Sequence, residues 1–424
     1  MWDEVVGAVS WDPEREFATF EYDPAFLDKG LDPAPLMMPL SAARSGSARF
    51  AFPALARDTF LGMPGMLADS LPDKFGNRII DAWLARQGRT RRDFSPVERL
   101  CYTGRRGMGA LEFAPPMQAS LETSVALELD ELIKLVQAVI DERTELAIGM
   151  DEDPAAALLD IIRVGTSAGG GRPKAVIAYN DRTGEVRSGQ MDAPDGFGHW
   201  LLKFDGVRDD ALGDPAGYGL VEYAYCLMAK AAGIRMSGCR LLREGGRAHF
   251  MTRRFDRPDA GSKMHMQSLC ALSHFDFNAP GAYAYEQAFQ VMRELRLPHA
   301  DIVQQFRRMV FNVCARNQDD HTKNIAYLMD GGGVWRLAPA FDLTYAYNPD
   351  GKWTNRHQMS INGKRDGITE EDLLQVGREA SIRNSSRILD EVVDAVGNWP
   401  DHAEAAGVDG TRAKLIGSTH RLLR

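Results

Sequence analysis

Six consecutive residues, Asp319-Asp320-His321-Thr322-Lys323-Asn324, crowd polar and charged groups directly beyond an apolar stripe of Phe306, Met309, Val310, Val313 and Cys314. A carboxylate can orient a hydroxyl and accept its proton, and an amide oxygen can hold a magnesium ion. Taken alone, such a cluster reads better as a solvated helix end. Asp342 stands in Ala338-Pro339-Ala340-Phe341-Asp342-Leu343, where an unpaired carboxylate among apolar neighbours is costly. A bound cation, or a turn capped by the carboxylate, explains it. Lys203 lies in the apolar run 200–204. It calls for an anionic partner, carboxylate or phosphate, unless it points outward from an edge strand.

A second kind of chemistry is written in Gly165-Thr166-Ser167-Ala168-Gly169-Gly170-Gly171-Arg172-Pro173-Lys174. Glycines let backbone amides approach an anion closely, and a run of N–H groups supplies partial positive charge. No Lys-Ser/Thr follows Gly170, so this is not a Walker loop, and it lacks the G-x-G-x-x-G pattern that opens a helix. It suits a loop folding over nucleotide phosphates between two strands; a plain surface turn fits equally well. Asp319 and Asn324 are spaced as in the protein-kinase catalytic loop H-R-D-x-x-x-x-N. The order along the chain is glycine-rich loop, strand lysine, helix, Asp with its Asn, and apolar-flanked Asp. This is the order of parts in protein-kinase-like phosphotransferases.

The elements that must position these groups follow from periodicity. Residues 5–11 and 17–22 flank Asp12-Pro13 and predict a β-hairpin. Phe75, Ile79, Ile80 and Trp83 repeat at helical spacing over 73–86, and Leu129, Leu132, Ile133, Val136, Val139 and Ile140 mark a second helix face. Between them, seven arginines fall within 86–106; the reading preferred here is a solvated face. Pro154 is placed to open a short helix, and a domain transition is expected within 115–160. Residues 174–179 form a buried-strand run, 180–184 a turn leading into another strand, and 199–204 a further strand. Residues 221–232 are helical up to Gly233 as C-cap. The run 250–255 is strand-like, 256–263 is a polar loop, and the remainder is mostly helical.

Composition limits the function classes. The chain has 424 residues, with 44% hydrophobic and 26% charged, which suffices for a substantial core. Lysine plus arginine number 50 against 59 acidic residues, a net charge of −9, which disfavours autonomous nucleic-acid binding through bulk charge. No apolar run is long enough to cross a bilayer, and the acidic start Met1-Trp2-Asp3-Glu4 is unlike a secretory signal. Five cysteines without a C-x-x-C pair argue against a disulfide framework or a cysteine zinc site, so a cytoplasmic location is expected.

The chain resembles the HipA family, the serine/threonine kinase toxins of bacterial type II toxin–antitoxin systems. The resemblance is carried by Ser167-Ala-Gly-Gly-Gly-Arg-Pro-Lys174, Trp200-Leu-Leu-Lys203, Arg254-Phe-Asp-Arg257, Asp319-Asp-His-Thr-Lys-Asn324 and Pro339-Ala-Phe-Asp342. Upstream, Ser70-Leu-Pro-Asp-Lys-Phe-Gly-Asn-Arg78 and Gly107-Met-Gly-Ala-Leu-Glu112 are similar to the N-terminal domain of that family. The resemblance implies an α+β, protein-kinase-like bilobal fold with an extra mixed α/β N-terminal subdomain and a mostly helical C-terminal lobe. The expected divisions are 1–120, 121–255 and 256–424.

The same resemblance implies ATP and Mg2+ as cofactors. Asp319 would be the catalytic carboxylate, Asn324 and Asp342 the magnesium ligands, and Lys203 a contact to the ATP phosphates. Ser167, Ala168, Gly169, Gly170, Gly171 and Lys174 would belong to the nucleotide loop, and the strand through Arg254 and Phe255 to the adenine hinge. His321 and Lys323 would shape the catalytic loop; by analogy with the αC glutamate of ordinary protein kinases, and not from the family pattern, Glu222 would pair with Lys203. Ser167 takes the place of the serine whose autophosphorylation ejects the loop and silences the kinase in the family, with Thr166 the lesser acceptor. Expected partners are a small DNA-binding, HipB-like antitoxin and a protein substrate; characterised members act on aminoacyl-tRNA synthetases. DNA would be met only through the antitoxin, and no membrane is involved. Asp320 departs from the pattern, and a second acid there acts on magnesium or on Asp319 through like-charge repulsion.

Three rival functions share some of these residues. A small-molecule or lipid phosphotransferase uses the same Asp–Asn–Asp arithmetic. A metallophosphoesterase shares Asp319-x-His321 but needs a downstream G-N-H-[DE], which is missing. A non-catalytic antitoxin-binding regulator would be free to lose Lys203, Asp319, Asn324 or Asp342, all of which are kept.

Overall fold

The computed structural model describes residues 1–423 except positions 47, 73, 87, 91–93, 117–123, 128–131, 135, 138–172, 190–192, 208–216 and 259–260. They fall into two compact units. Unit one comprises Met1–Leu31, Leu40–Gly219 and Arg240–Met266, and unit two comprises Asp32–Pro39, Leu220–Cys239 and Gln267–Arg424.

Unit one opens with the expected hairpin. Strands β1 (Gly7–Asp12) and β2 (Phe17–Tyr22) pair antiparallel, and β3 (Arg49–Ala51) adds on the far side of β2. Asp12 makes the turn, its Oδ1 accepting from the N–H groups of Glu14 and Arg15 at 3.0 Å. Ala18, Phe20 and Tyr22 are buried on alternate positions of β2, the period-two pattern of a half-covered strand. Helix α1 (Lys74–Arg86) follows, then α2 (Pro96–Thr103). Ser95 caps α2 in a capping box, since its Oγ accepts from Glu98 N and its own N–H donates to Glu98 Oε2 at 2.7 Å.

The arginine-rich stretch is not a wholly solvated face. Arg99 and Arg106 are buried. Arg99 donates to Asn77 Oδ1 at 2.7 Å and to Asp81 Oδ1 at 2.8 Å, and Arg106 lies 5.0 Å over the Tyr102 ring while donating to the Tyr102 carbonyl. Charge counting along a sequence cannot separate a solvated arginine from one whose fork is filled by fixed acceptors.

The main sheet of unit one contains β4 (Lys174–Asn180), β5 (Val186–Ser188), β6 (Phe197–Lys203), β7 (Cys239–Glu244) and β8 (Arg247–Arg253), in the order β5-β4-β6-β8-β7. All seven residues of β4 are buried, matching its continuous apolar reading. The turn after β4 is built by Asn180, whose Oδ1 accepts from Arg182 N and Thr183 N. β7 is an edge strand that the sequence pattern did not reveal. Its link to β8 is Gly245-Gly246, both at positive φ, the two-residue hairpin chemistry that glycine makes cheap. Ile79, Ile80 and Leu84 of α1 share one core with Leu132, Ile133, Val136, Ile177, Leu202 and Met251. Residues 132–134 and 136–137 are helical, in keeping with the second helix face. The segment around Pro154 and the glycine-rich run 165–171 lie outside the described residues.

Helix α3 (Tyr218–Ala231) is stopped at Gly233, φ +73°, whose N–H returns to Lys230 O at 3.0 Å. Unit two is mostly helical, with α4 (Tyr285–Glu294), α5 (His299–Cys314), α6 (Glu370–Glu379), α7 (Ser385–Gly397), α8 (Trp399–Ala406) and α9 (Gly410–Thr419). It also holds a hairpin that the sequence reading missed, β10 (Ala326–Met329) with β11 (Trp335–Leu337), and β9 (His265–Ser268) pairs on the outer side of β10. The predicted stripe of α5 is buried throughout. So is Asp301 on that helix, which accepts from Arg235 Nη2 at 2.6 Å and from Leu337 N at 3.0 Å.

Candidate active site

The chain leaves α5 at Cys314 and is turned by Arg316 in the left-handed region, φ +56°. Gln318 N then donates to Ala346 O at 3.0 Å, and a short 3-10 turn, Thr322–Asn324, leads into β10. Two adjacent carboxylates emerge in opposite environments. The Asp319 side chain is 50% exposed, whereas that of Asp320 is 1% exposed. Neighbouring side chains thus alternate, one carboxylate reaching solvent and the other the interior.

Asn324 is tied to Asp319, its Nδ2 donating to the Asp319 carbonyl at 2.8 Å. That bond orients the amide and makes its oxygen the group that can face a cation. His321 Nε2 lies 3.9 Å from Asp319 Oδ1, beyond hydrogen-bond range but close enough for attraction when the ring is protonated. The His321 ring packs 5.4 Å from Phe277, and Lys323 Nζ stands 5.1 Å over the same ring, so both help fix the loop against one aromatic side chain. Thr322 Oγ1 donates to Phe275 O at 2.9 Å.

The β10–β11 hairpin returns the chain as far as Ala338, short of Asp342. Tyr327 pairs with Leu337 and Met329 with Trp335, and Ala338 N donates to Ala326 O. Beyond β11 the chain turns to another neighbour, Ala340 N donating to Arg235 O at 2.8 Å. Asp342 has φ +56°, a conformation that costs a residue with a Cβ but is tolerated best by Asp and Asn. An amide oxygen and a carboxylate oxygen are donors of the hard type magnesium prefers. On that chemistry Asn324 and Asp342 fit the ion.

Asp320 does not act as a second solvent-facing acid. Its Oδ2 accepts from Tyr285 Oη at 2.9 Å and from His357 Nδ1 at 2.8 Å, and its Oδ1 accepts from Gln358 N at 2.7 Å. Asn312 Nδ2 donates to Tyr285 Oη and Asn317 Nδ2 to Asn312 Oδ1, both at 2.9 Å. Sequence reasoning missed Tyr285, Asn312, His357 and Gln358, because nothing in local spacing links them to position 320.

The other expected site residues belong to unit one. The β4–β6 register sets Lys174 directly opposite Lys203, and Lys203 Nζ also lies 6.0 Å over the Phe250 ring. Two cations side by side across a strand pair gain from a shared anion. Arg254 N–H is used within the sheet, donating to His199 O at 2.9 Å. The Arg254 side chain turns inward to Asp256, at 3.0 and 2.7 Å, and Arg257 meets the same carboxylate at 2.8 Å. Gly109 N donates to Asp256 Oδ2 at 2.8 Å, and the Gly107 carbonyl accepts from both arginines. Two motifs far apart in sequence, 107–112 and 254–257, thus make one buried cluster. Burial acts to raise the Asp256 pKa, but the two guanidinium groups hold the carboxyl well below the usual range. Phe255 is half-buried beside this cluster. Glu222, the expected partner of Lys203, is buried in α3 and assigned to unit two. Ser167, Ala168, Gly169, Gly170 and Gly171 lie outside the described residues.

Comparison with known proteins gives one family for most of the chain. The HipA N-terminal domain model matches residues 1–114, and the HipA-like C-terminal domain model matches residues 166–399. A Sinorhizobium fredii protein named "Putative kinase Y4mE" is 25% identical over 205 residues, covering 44% of this chain. The chain spans about half of that relative, 48% of its length. Among solved structures, HipA in the Shewanella oneidensis complex of HipA, HipB and operator DNA aligns with a TM-score of 0.68 at 17% identity, covering 98% of this chain and 93% of that one. The Helicobacter pylori proinflammatory kinase CtkA aligns at a TM-score of 0.33 and 14% identity, over 53% of this chain and 88% of its own. The expected α+β fold is that of HipA, and no helix among the described residues is long and apolar enough to cross a membrane. With matches to both domains over most of its length, this chain belongs to the HipA family.

Proposed function

We propose that this protein is an ATP- and magnesium-dependent serine/threonine protein kinase and the toxin of a type II toxin–antitoxin pair. The observation that supports the reading is the half-exposed Asp319 carboxylate, with Asn324 Nδ2 bonded to the Asp319 carbonyl across one short turn. Phosphoryl transfer asks a protein mainly for positioning and charge neutralisation. Asp319 aligns the acceptor hydroxyl and takes its proton as the new O–P bond forms and the bond to the β-phosphate oxygen breaks. Asn324 and Asp342 would hold magnesium, which when bound would neutralise charge on the phosphate oxygens. Lys203 and Lys174 add positive charge for the phosphates, and His321 and Lys323 keep the loop in shape. Ser167 is the autophosphorylation site.

The partner reading rests on the Shewanella complex, in which HipA is seen with HipB and operator DNA. A HipB-like antitoxin that carries the DNA contacts suits a chain of net charge −9. The substrate is a protein of the translation machinery.

The test is intact mass and peptide mapping after incubation with magnesium and ATP. Addition of one phosphate within 165–174, and transfer to a protein acceptor, are expected of the wild type. Asp319→Ala should lose both while still binding ATP. Near-normal phosphorylation by that variant refutes the assignment.

A further inference from the structure

The carboxylate next to the reacting one holds the catalytic loop from behind. We infer that Asp320 is a positioning residue, which with Tyr285 and the His357-Gln358 segment fixes the backbone that carries Asp319. The inference rests on the kinase reading for its effect on rate, and on geometry alone for its effect on the loop.

Asp320 has no exposure from which to meet a substrate, and both of its oxygens are occupied: Oδ1 by Gln358 N, Oδ2 by Tyr285 Oη and His357 Nδ1. The donors come from α4 and from the segment beyond Asp342, two regions that the chain reaches 35 residues before and 37 to 38 residues after position 320. On the other side of Asp319, Asn317 enters the same network through Asn312, which donates to Tyr285 Oη. Residues 317 and 320 are therefore clamped to one tyrosine, and Asp319 is the projecting residue between them. A carboxylate is required. Asparagine offers only one acceptor oxygen, so its NH2 would face either the Gln358 N–H or the Tyr285–His357 pair. Tautomer exchange at His357 gives no relief, because its buried Nε2 has no protein acceptor among the described residues.

Three measurements on the full chain test this. Asp320→Asn should lower kcat on the order of 100-fold, the scale of a misplaced catalytic group, with the KM for ATP within about twofold of wild type. Tyr285→Phe, which deletes one hydroxyl and leaves the core volume intact, should lower kcat by roughly tenfold and keep the fold if the asparagine variant does not. Amide hydrogen exchange over 318–324 should be faster in both variants, a change that no activity measurement enters. If the wild type transfers no phosphate from ATP, the kinase reading fails while the exchange result still decides the clamp. Unchanged exchange in Tyr285→Phe, or kcat lowered no more than twofold in an active enzyme, overturns the role of Asp320.

Discussion

Replacing Asp256 by Asn should destabilise unit one by about 3–5 kcal/mol, the cost of removing one partner from a buried ion cluster. The figure follows from what is left behind. Asp256 is fully buried, and its two oxygens accept from Arg254 Nε and Nη2, Arg257 Nη1 and Gly109 N. Arg254 and Arg257 side chains are 1% and 7% exposed, so neither can recover water once the carboxylate is neutral. An amide keeps the volume but presents an NH2 group toward guanidinium donors or toward the Gly109 N–H. Against a total of roughly 5–15 kcal/mol for a folded domain, that is a large fraction. The assay is urea unfolding followed by tryptophan fluorescence, comparing midpoints at pH 7, where the wild-type carboxylate is ionised. A loss below about 1 kcal/mol would mean that the arginines find other acceptors, and the account of the cluster would be wrong.

Other outcomes follow from neighbouring features. Gly109→Ala should cost roughly 1–3 kcal/mol by the same assay, because Gly109 has φ +80° and an added Cβ would sit 3.0 Å from Met266 N. Ser95→Ala should lower stability by about 1 kcal/mol through loss of the α2 capping box, read as a shifted urea midpoint. Burial holds the His274 and His420 imidazoles down at about 4, with Arg316 adding to the effect at His420. The folded protein keeps them neutral while an unfolded chain protonates them below about 6.5, so their contribution is complete above that value and shrinks as pH falls toward 4. Moving from pH 7.5 to 5 should therefore cost at most about 2 kcal/mol per histidine, and His420→Gln should flatten the dependence.

Much of the fold could be read from the residues because the signals were local. The β1–β2 hairpin, α1, the buried β4 run, the Asn180 turn and the Gly233 stop each rest on side chains within a few positions of the feature they create. The Asp319–Asn324 pairing was legible for the same reason, since one short turn joins the two. What escaped was non-local. β7 alternates weakly because an edge strand is half-covered at most of its positions, although Gly245-Gly246 was a hairpin signal. Asp330 and three glycines before Trp335 likewise marked the β10–β11 turn. Arg99 and Arg106 look like solvated charges until their acceptors are placed around them. Asp320 looked like a competitor of Asp319 because adjacency in sequence hides the reversal of direction between neighbouring side chains.

The β10–β11 hairpin separates two kinds of tolerance to insertion. Its tip, Asp330 to Val334, lies at the far end from Asn324, and a Cβ added at Gly331 meets nothing within 4 Å. A fluorophore or short epitope inserted at Gly331 would leave the strand pairing, and the turn that carries Asn324, as they are. One extra residue inside β11 would instead turn Leu337 outward and break its pairing with Tyr327. A reporter can therefore be attached to the same hairpin into which the Asn324 turn leads.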